Sequence, residues 1–207
     1  TFSWGPLGVR GIARRNMRLA EHAGPGRWND PDMLLVGNRG RGLSTGVLQP
    51  VEGYRFRPRV WNFDGLDDAQ ARSHMTLWVM MAAPLLASHD PATISADDLA
   101  LLTNPDVLAV NQDPLGIQGR RVRSPFGTWI LRKPLADGGV AVSVTNLTRL
   151  PRTVAVDLGG AAGVPMDVLD AWTGERRTAS GSIDVRLAGH ASSLVVVSSP
   201  PEPGAAV

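Results

Sequence analysis

The reading of this chain turns on one stretch, Trp28-Asn29-Asp30-Pro31-Asp32-Met33-Leu34. Apolar residues continue through Leu35 and Val36, a run suited to a short buried strand and its exit. Pro31 cannot donate to a ladder and belongs at a strand end. Loops at such ends often carry function. Asp30 and Asp32 stand two residues apart, so on extended backbone their side chains share a face. Spacing alone leaves two readings open. The pair is either a close carboxylate couple of the kind a retaining glycosidase uses, or one carboxylate holds the loop by hydrogen bonds while the other meets ligand.

Upstream, Gly5 to Arg27 is rich in Gly, Arg and Ala, and predicts a short helix over Arg14–His22 that the Gly24-Pro25-Gly26 turn stops. Downstream, Arg39 to Leu66 has Gly and Pro but no sustained period and reads as a long loop, of a length unusual in a compact domain. Asp67 with Gln70 forms a capping box for a helix that carries Ala71, Met75, Trp78 and Met81 on one apolar face and ends at Pro84. Pro84 to Ser88 suits a second buried strand, and Ser95 with Asp98 begins a helix carrying Leu99 and Leu102. Strand, helix, strand, helix at short spacing favours an α/β layer with parallel strands, as in a segment of a (β/α) barrel.

After Gln112-Asp113-Pro114-Leu115-Gly116 the character changes. Apolar, β-rich runs over Thr128–Arg132, Val140–Asn146, Thr153–Leu158, Met166–Leu169, Ile183–Leu187 and Leu194–Ser198, punctuated by Gly, Pro and Asp, predict an antiparallel sandwich. The expected organisation is therefore a barrel segment over 1–118 with an inserted loop at about 41–66, an antiparallel β domain over 119–199, and a tail over 200–207.

Bulk properties exclude several functions. With 207 residues, 43% of them hydrophobic, two cores are affordable. The net charge is +2, Lys133 is the sole lysine, and acidic residues are interspersed, so no nucleic-acid partner is expected. The absence of cysteine excludes disulfides, thiolate metal sites and a cysteine nucleophile, and leaves the compartment open between secreted and cytoplasmic in a bacterium. No apolar run reaches the length of about 18 residues that a membrane helix requires, so no membrane partner is expected.

Histidines 22, 74, 89 and 190 lack ligand spacing, and no metal site is expected. The glycine groups Gly37–Gly42 and Gly159–Gly163 lack the strand-and-helix context of a phosphate loop, so no nucleotide cofactor is implied. Asp90 follows the second expected strand and either faces a site mouth or caps the next turn. Among the tryptophans, Trp28 and Trp61 lie in loops where a sugar could stack, whereas Trp78 lies on the apolar helix face; Trp129 and Trp172 read as packing elements. Asn146-Leu147-Thr148 meets the glycosylation rule but falls inside an expected strand.

Taken together, Ala23-Gly24-Pro25-Gly26, Trp28 to Leu34 and Val36-Gly37-Asn38 resemble glycoside hydrolase family 27, the α-galactosidase or melibiase family. Trp78-Val79-Met80-Met81-Ala82-Ala83-Pro84-Leu85, Ser88 to Asp90, Asn104 to Asp106, and Asn111-Gln112-Asp113-Pro114-Leu115-Gly116 to Gly119 are similar to its next landmarks, in order. Asp170-Ala171-Trp172-Thr173-Gly174 and Leu187 to His190 are similar to its trailing antiparallel β domain.

The resemblance implies the C-terminal portion of a (β/α)8 TIM barrel, strands seven and eight with their helices, followed by an antiparallel β-sandwich. It also implies retaining hydrolysis of terminal α-linked galactose, a galactose-containing oligosaccharide or glycoside as partner, and no metal or organic cofactor. By position it makes Asp32 a substrate-binding aspartate, places Met33 beside it and gives Asp30 a more structural part; Trp28, in a loop where a sugar could stack, is a further candidate sugar contact. In the family the nucleophile and the acid/base lie upstream of the segment matching Ala23 to Leu34, so no catalytic residue is expected in this chain, which reads as truncated and inactive by itself. Two other readings stand beside this one: a non-catalytic carbohydrate-binding relative, and an α-N-acetylgalactosaminidase or β-L-arabinopyranosidase. Relatives pass from Val-Gly-Asn to the next helix in fewer residues, so Arg41 to Leu66, with Tyr54, Phe56 and Trp61, is expected to be an insertion that shapes the sugar entrance or a contact in a homo-oligomer.

Overall fold

The computed structural model describes residues 3–37, 65–160 and 163–199. Residues 41–64 of the expected insertion, including Tyr54, Phe56 and Trp61, and the tail over 200–207 lie outside the described residues.

Helix α1, Val9–Asn16, continues into a 3₁₀ turn, Met17–His22. It begins earlier than the expected Arg14, because Val9 and Ala13, one turn apart and both fully buried, anchor its inner face. The two expected strands of the α/β part do meet in parallel, but through a single residue pair, Leu34 and Ala87. The Leu34 amide donates to the Leu86 carbonyl at 2.7 Å, and the Ser88 amide donates back to the Leu34 carbonyl at 3.1 Å. The extended stretch is short for a local reason: Asp32 has φ +87° and Gly37 has φ +84°, so the chain turns on both sides of it.

Helix α2, Asp68–Met80, opens with the expected capping box: Asp67 Oδ1 accepts from the Gln70 amide at 2.8 Å and Gln70 Oε1 from the Asp67 amide at 3.3 Å. Every residue from Ser73 to Met80 is buried, where one apolar face was expected. The β domain accounts for this. Its main sheet has the order β1-β2-β3-β8-β5-β6, built from Arg120–Val122, Thr128–Pro134, Val140–Asn146, Ser192–Ser198, Pro165–Asp170 and Arg176–Ser180. A second sheet pairs β4, Arg152–Asp157, with β7, Ser182–Leu187. All these pairings are antiparallel.

The period of two along β3 and β8 divides their side chains between two cores. Val142, Val144, Val195 and Val197 pack against Val154, Val156 and Ile183 of the small sheet. Ala141 and Leu194, with Trp129 and Leu131 of β2, pack in one cluster with Met75, Leu77 and Trp78 of α2. The main sheet is thus covered on both faces, and α2 is enclosed between it and the α/β part. Burial of each such Val or Leu contributes about 1.5–3 kcal/mol.

A hydroxyl relay runs through this junction: Thr145 Oγ1 and Ser192 Oγ lie 2.8 Å apart, Ser192 Oγ donates to Ser73 Oγ at 2.7 Å, and Ser73 Oγ donates to the His190 carbonyl at 2.6 Å.

Helices α3, Ala96–Thr103, and α4, Pro105–Asn111, complete the α/β part. Ser95 caps α3 through the Asp98 amide at 3.1 Å, and Asn104 caps α4 through the Val107 amide at 3.1 Å. Lys133 on β2 is fully buried, and its Nζ donates to the carbonyls of Val110 and Asn111 at the C-terminal end of α4, where a positive charge is favoured. Gly119 closes the passage into β1: its amide donates to the Met80 carbonyl at 2.7 Å, and a β-carbon there would also stand 2.7 Å from that oxygen.

Candidate functional site

The loop from Trp28 to Val36 is held from three sides. Asn29 Nδ2 donates to the Leu19 carbonyl at 2.7 Å and to Gln118 Oε1 at 2.9 Å, while Gln118 Nε2 donates to the Asn16 carbonyl at 3.0 Å. Gln118 is buried, so these bonds tie the entry of the loop to α1 and to the start of the β domain. At the exit, His89 Nδ1 lies 3.1 Å from the Val36 carbonyl, and a β-carbon on Gly37 would come within 2.9 Å of the His89 ring.

Between these anchors Asp30 Oδ1 accepts from the Asp32 amide at 2.8 Å, and Asp32 Oδ1 accepts from the Met33 amide at 2.8 Å. Trp78 Nε1 donates to the Asp32 carbonyl at 2.7 Å, fixing the residue in its left-handed conformation from inside the core. Asp30 and Asp32 are both exposed and line the same open cavity of about 340 Å³, with Pro31 between them and Arg15, Asn16 and Leu19 opposite. Met33 and Trp28, each about half exposed, lie on the same loop without lining that cavity. Two carboxylates and a guanidinium around a shallow, water-accessible hollow provide planar acceptors and donors of the kind that hold vicinal hydroxyls.

Behind the loop, His74 of α2 is fully buried, and its ring meets that of Trp78 edge-on at a centroid distance of 4.1 Å. Burial pushes its pKa from 6.5 down to about 3, and the Asp32 carboxylate opposes the shift. The imidazole is therefore neutral at physiological pH. Asp90, the other candidate, caps its own turn: Oδ1 accepts from the Ala92 amide at 3.0 Å.

Trp78 was legible as a core residue, and it is one, but its bond to Asp32 crosses 46 positions and has no local signature. The same holds for Gln118 and Asn29. Among the described residues no group of three or more His, Asp or Glu is placed to hold a metal ion, and no helix is long and apolar enough to cross a membrane.

Comparison with known proteins gives two family matches. Residues 9–49 and 59–113 match the model of alpha galactosidase A, and residues 126–197 match that of the alpha galactosidase C-terminal beta sandwich domain. The unmatched residues 50–58 fall inside the expected insertion. An alpha-galactosidase of Oryza sativa is 32% identical over 198 residues, covering 94% of this chain and 41% of the rice protein. Human alpha-N-acetylgalactosaminidase is 46% identical over 100 residues, 48% of this chain and 18% of the human protein. The crystal structure of a β-L-arabinopyranosidase from Geobacillus stearothermophilus superposes with TM-score 0.78 at 25% identity, covering 100% of this chain and 44% of that one. The chain thus spans less than half the length of each of these relatives.

Proposed function

Because this chain belongs to the α-galactosidase family, glycoside hydrolase family 27, as the C-terminal part of its barrel with the β-sandwich that follows, we propose that it serves a retaining hydrolase acting on terminal α-linked galactose. The observation that carries this reading is the ordered match to both family models, with Asp30 and Asp32 lining one cavity.

In such a hydrolase one carboxylate attacks the anomeric carbon while another, about 5 Å away, protonates the leaving oxygen. We assign neither to this chain; both belong to earlier barrel strands. The part of Asp32 is to hold sugar hydroxyls by charge-assisted hydrogen bonds, with Met33 and Trp28 at the rim and Asp30 bracing the loop through the Asp32 amide. In the full-length polypeptide, Asp32→Asn should lower kcat/KM for a chromogenic α-galactoside by roughly ten- to a hundredfold, matching a loss of about 1.5–3 kcal/mol. Wild-type kinetics in that variant would overturn the assignment. Residues 1–207 alone should not hydrolyse the substrate; turnover by the purified chain would refute the placement of the catalytic carboxylates.

A second reading, action on α-N-acetylgalactosamine, is favoured by the 46% identity over 100 residues to the human enzyme. Relative kcat/KM on the two chromogenic glycosides decides between them. We further place the domain boundary near Gly119. The contact of Gly119 with Met80 and the gap between the two family matches, residues 114–125, support it.

A further inference from the structure

Trp172 lies in the turn after β5, remote in sequence from the Asp32 loop, and lines two cavities. One, of about 390 Å³, is formed with α2 and α3 and is lined by Asp68, Asp97, Leu101 and Asn104. The other, of about 340 Å³, runs along the β domain past Arg177, Asp184 and Ser193. Arg72 lines both as well, and its guanidinium stands 5.4 Å from the Trp172 ring centre. The ring is fixed: Nε1 donates to Thr76 Oγ1 at 3.2 Å, the Trp172 amide donates to Asp170 Oδ1 at 2.9 Å, and Asn104 Nδ2 donates to the Trp172 carbonyl at 3.4 Å.

We propose that these two cavities form one surface groove, centred on Arg72 and Trp172, that binds a linear neutral oligosaccharide; the choice of ligand class rests on the carbohydrate reading above. Three features support it. Both halves hold carboxylates and guanidinium groups, the acids outnumbering Arg72 in one and the arginines outnumbering the acids in the other. No single-sign field therefore runs the length of the groove for a polyanion or a polycation, whereas a polyol finds planar acceptors and donors in both halves. Leu101 and the edge of the half-buried indole supply apolar surface for the C–H faces of pyranose rings. Each cavity is near the low end of the range of about 300–1,000 Å³ for ligand pockets, so the pair suits successive sugar units lying across Trp172 better than one isolated ring. None of these residues lines the Asp32 cavity. The groove would hold the backbone of a branched substrate while a galactosyl branch is processed elsewhere.

The test is hydroxyl-radical footprinting of the full-length polypeptide with mannohexaose, a neutral chain that an α-galactosidase does not consume, and with oligogalacturonate as the charged control. With mannohexaose at about ten times its Kd, oxidation of Trp172 should slow about tenfold, with no protection by oligogalacturonate. The double variant Asp68→Asn, Asp97→Asn should lose that protection and keep kcat/KM on a small chromogenic glycoside. Unprotected Trp172 in an active enzyme overturns the groove and leaves the proposed activity standing. Protected Trp172 in a protein without galactosidase activity refutes the activity and leaves the groove standing. Stronger protection by oligogalacturonate than by mannohexaose overturns the ligand class.

Discussion

The indole nitrogen of Trp78 and the backbone carbonyl of Asp32 are joined by a 2.7 Å hydrogen bond, so the residue proposed to hold sugar is positioned by a helix in the core. Trp78→Phe should leave that carbonyl without its partner and a small void beside it, costing about 1–3 kcal/mol in chemical denaturation. Sugar affinity should fall with it. An unchanged denaturation midpoint would show that water replaces the indole at no cost.

Asp32 sits at φ +87°, where a side chain other than glycine is strained. Asp32→Gly should therefore stabilise the protein by about 0.5–1 kcal/mol while abolishing the carboxylate's contribution to sugar binding. A variant both less stable and weaker in binding would mean that the carboxylate's bond to the Met33 amide outweighs the strain.

His74 should make the fold sensitive to acid. Burial holds its pKa at about 3 against 6.5 in the unfolded chain, so between those values the unfolded state binds a proton that the folded state refuses. This stability is complete above pH 6.5 and is lost as the pH falls toward 3, by about 1.4 kcal/mol per pH unit. In urea titrations at several pH values, His74→Phe should lose that slope. An equally steep slope in the variant would assign the acid sensitivity to other groups.

Lys133 acts in the alkaline range. Burial lowers its pKa to about 8 from 10.5, with Asp113 opposing, so the unfolded chain binds the extra proton between those two values. The cost of burying the charge is fully present below pH 8 and disappears as the pH rises toward 10.5. Wild-type protein should therefore gain up to about 3 kcal/mol relative to Lys133→Met across that range. A pH-independent difference between the two would show that the bonds to Val110 and Asn111 hold the lysine charged without penalty.

Features set by neighbours in sequence were legible. Asp67 with Gln70 and Ser95 with Asp98 formed the expected caps because each pair spans a single helical turn. The short β-rich runs Val140–Asn146 and Leu194–Ser198, bounded by turn residues, predicted sandwich strands, and both are strands of the main sheet. The outer strands Arg120–Val122 and Arg176–Ser180 escaped notice, since their exposed arginines show no apolar period; charged edges of this kind discourage pairing with other chains. At the candidate site Asp30 and Asp32 line one cavity, but not on the extended backbone that a period of two assumes, since Asp32 turns at φ +87°. The turn at Asp32 and its bond to Trp78 depend on residues far apart in the chain, which no local pattern encodes.

The enclosed helix α2 has a bearing on inheritance. Its Ser73 completes a hydroxyl relay reaching Ser192 and Thr145, and its apolar residues fill a core to which β2, β3 and β8 also contribute. A recombination event that replaced the β-sandwich with an unrelated module would leave Ser73 and the neighbouring apolar surface of this helix facing strangers. An exchange of the sandwich is therefore expected to succeed only when the residues that face this helix from β2, β3 and β8 are carried over with it.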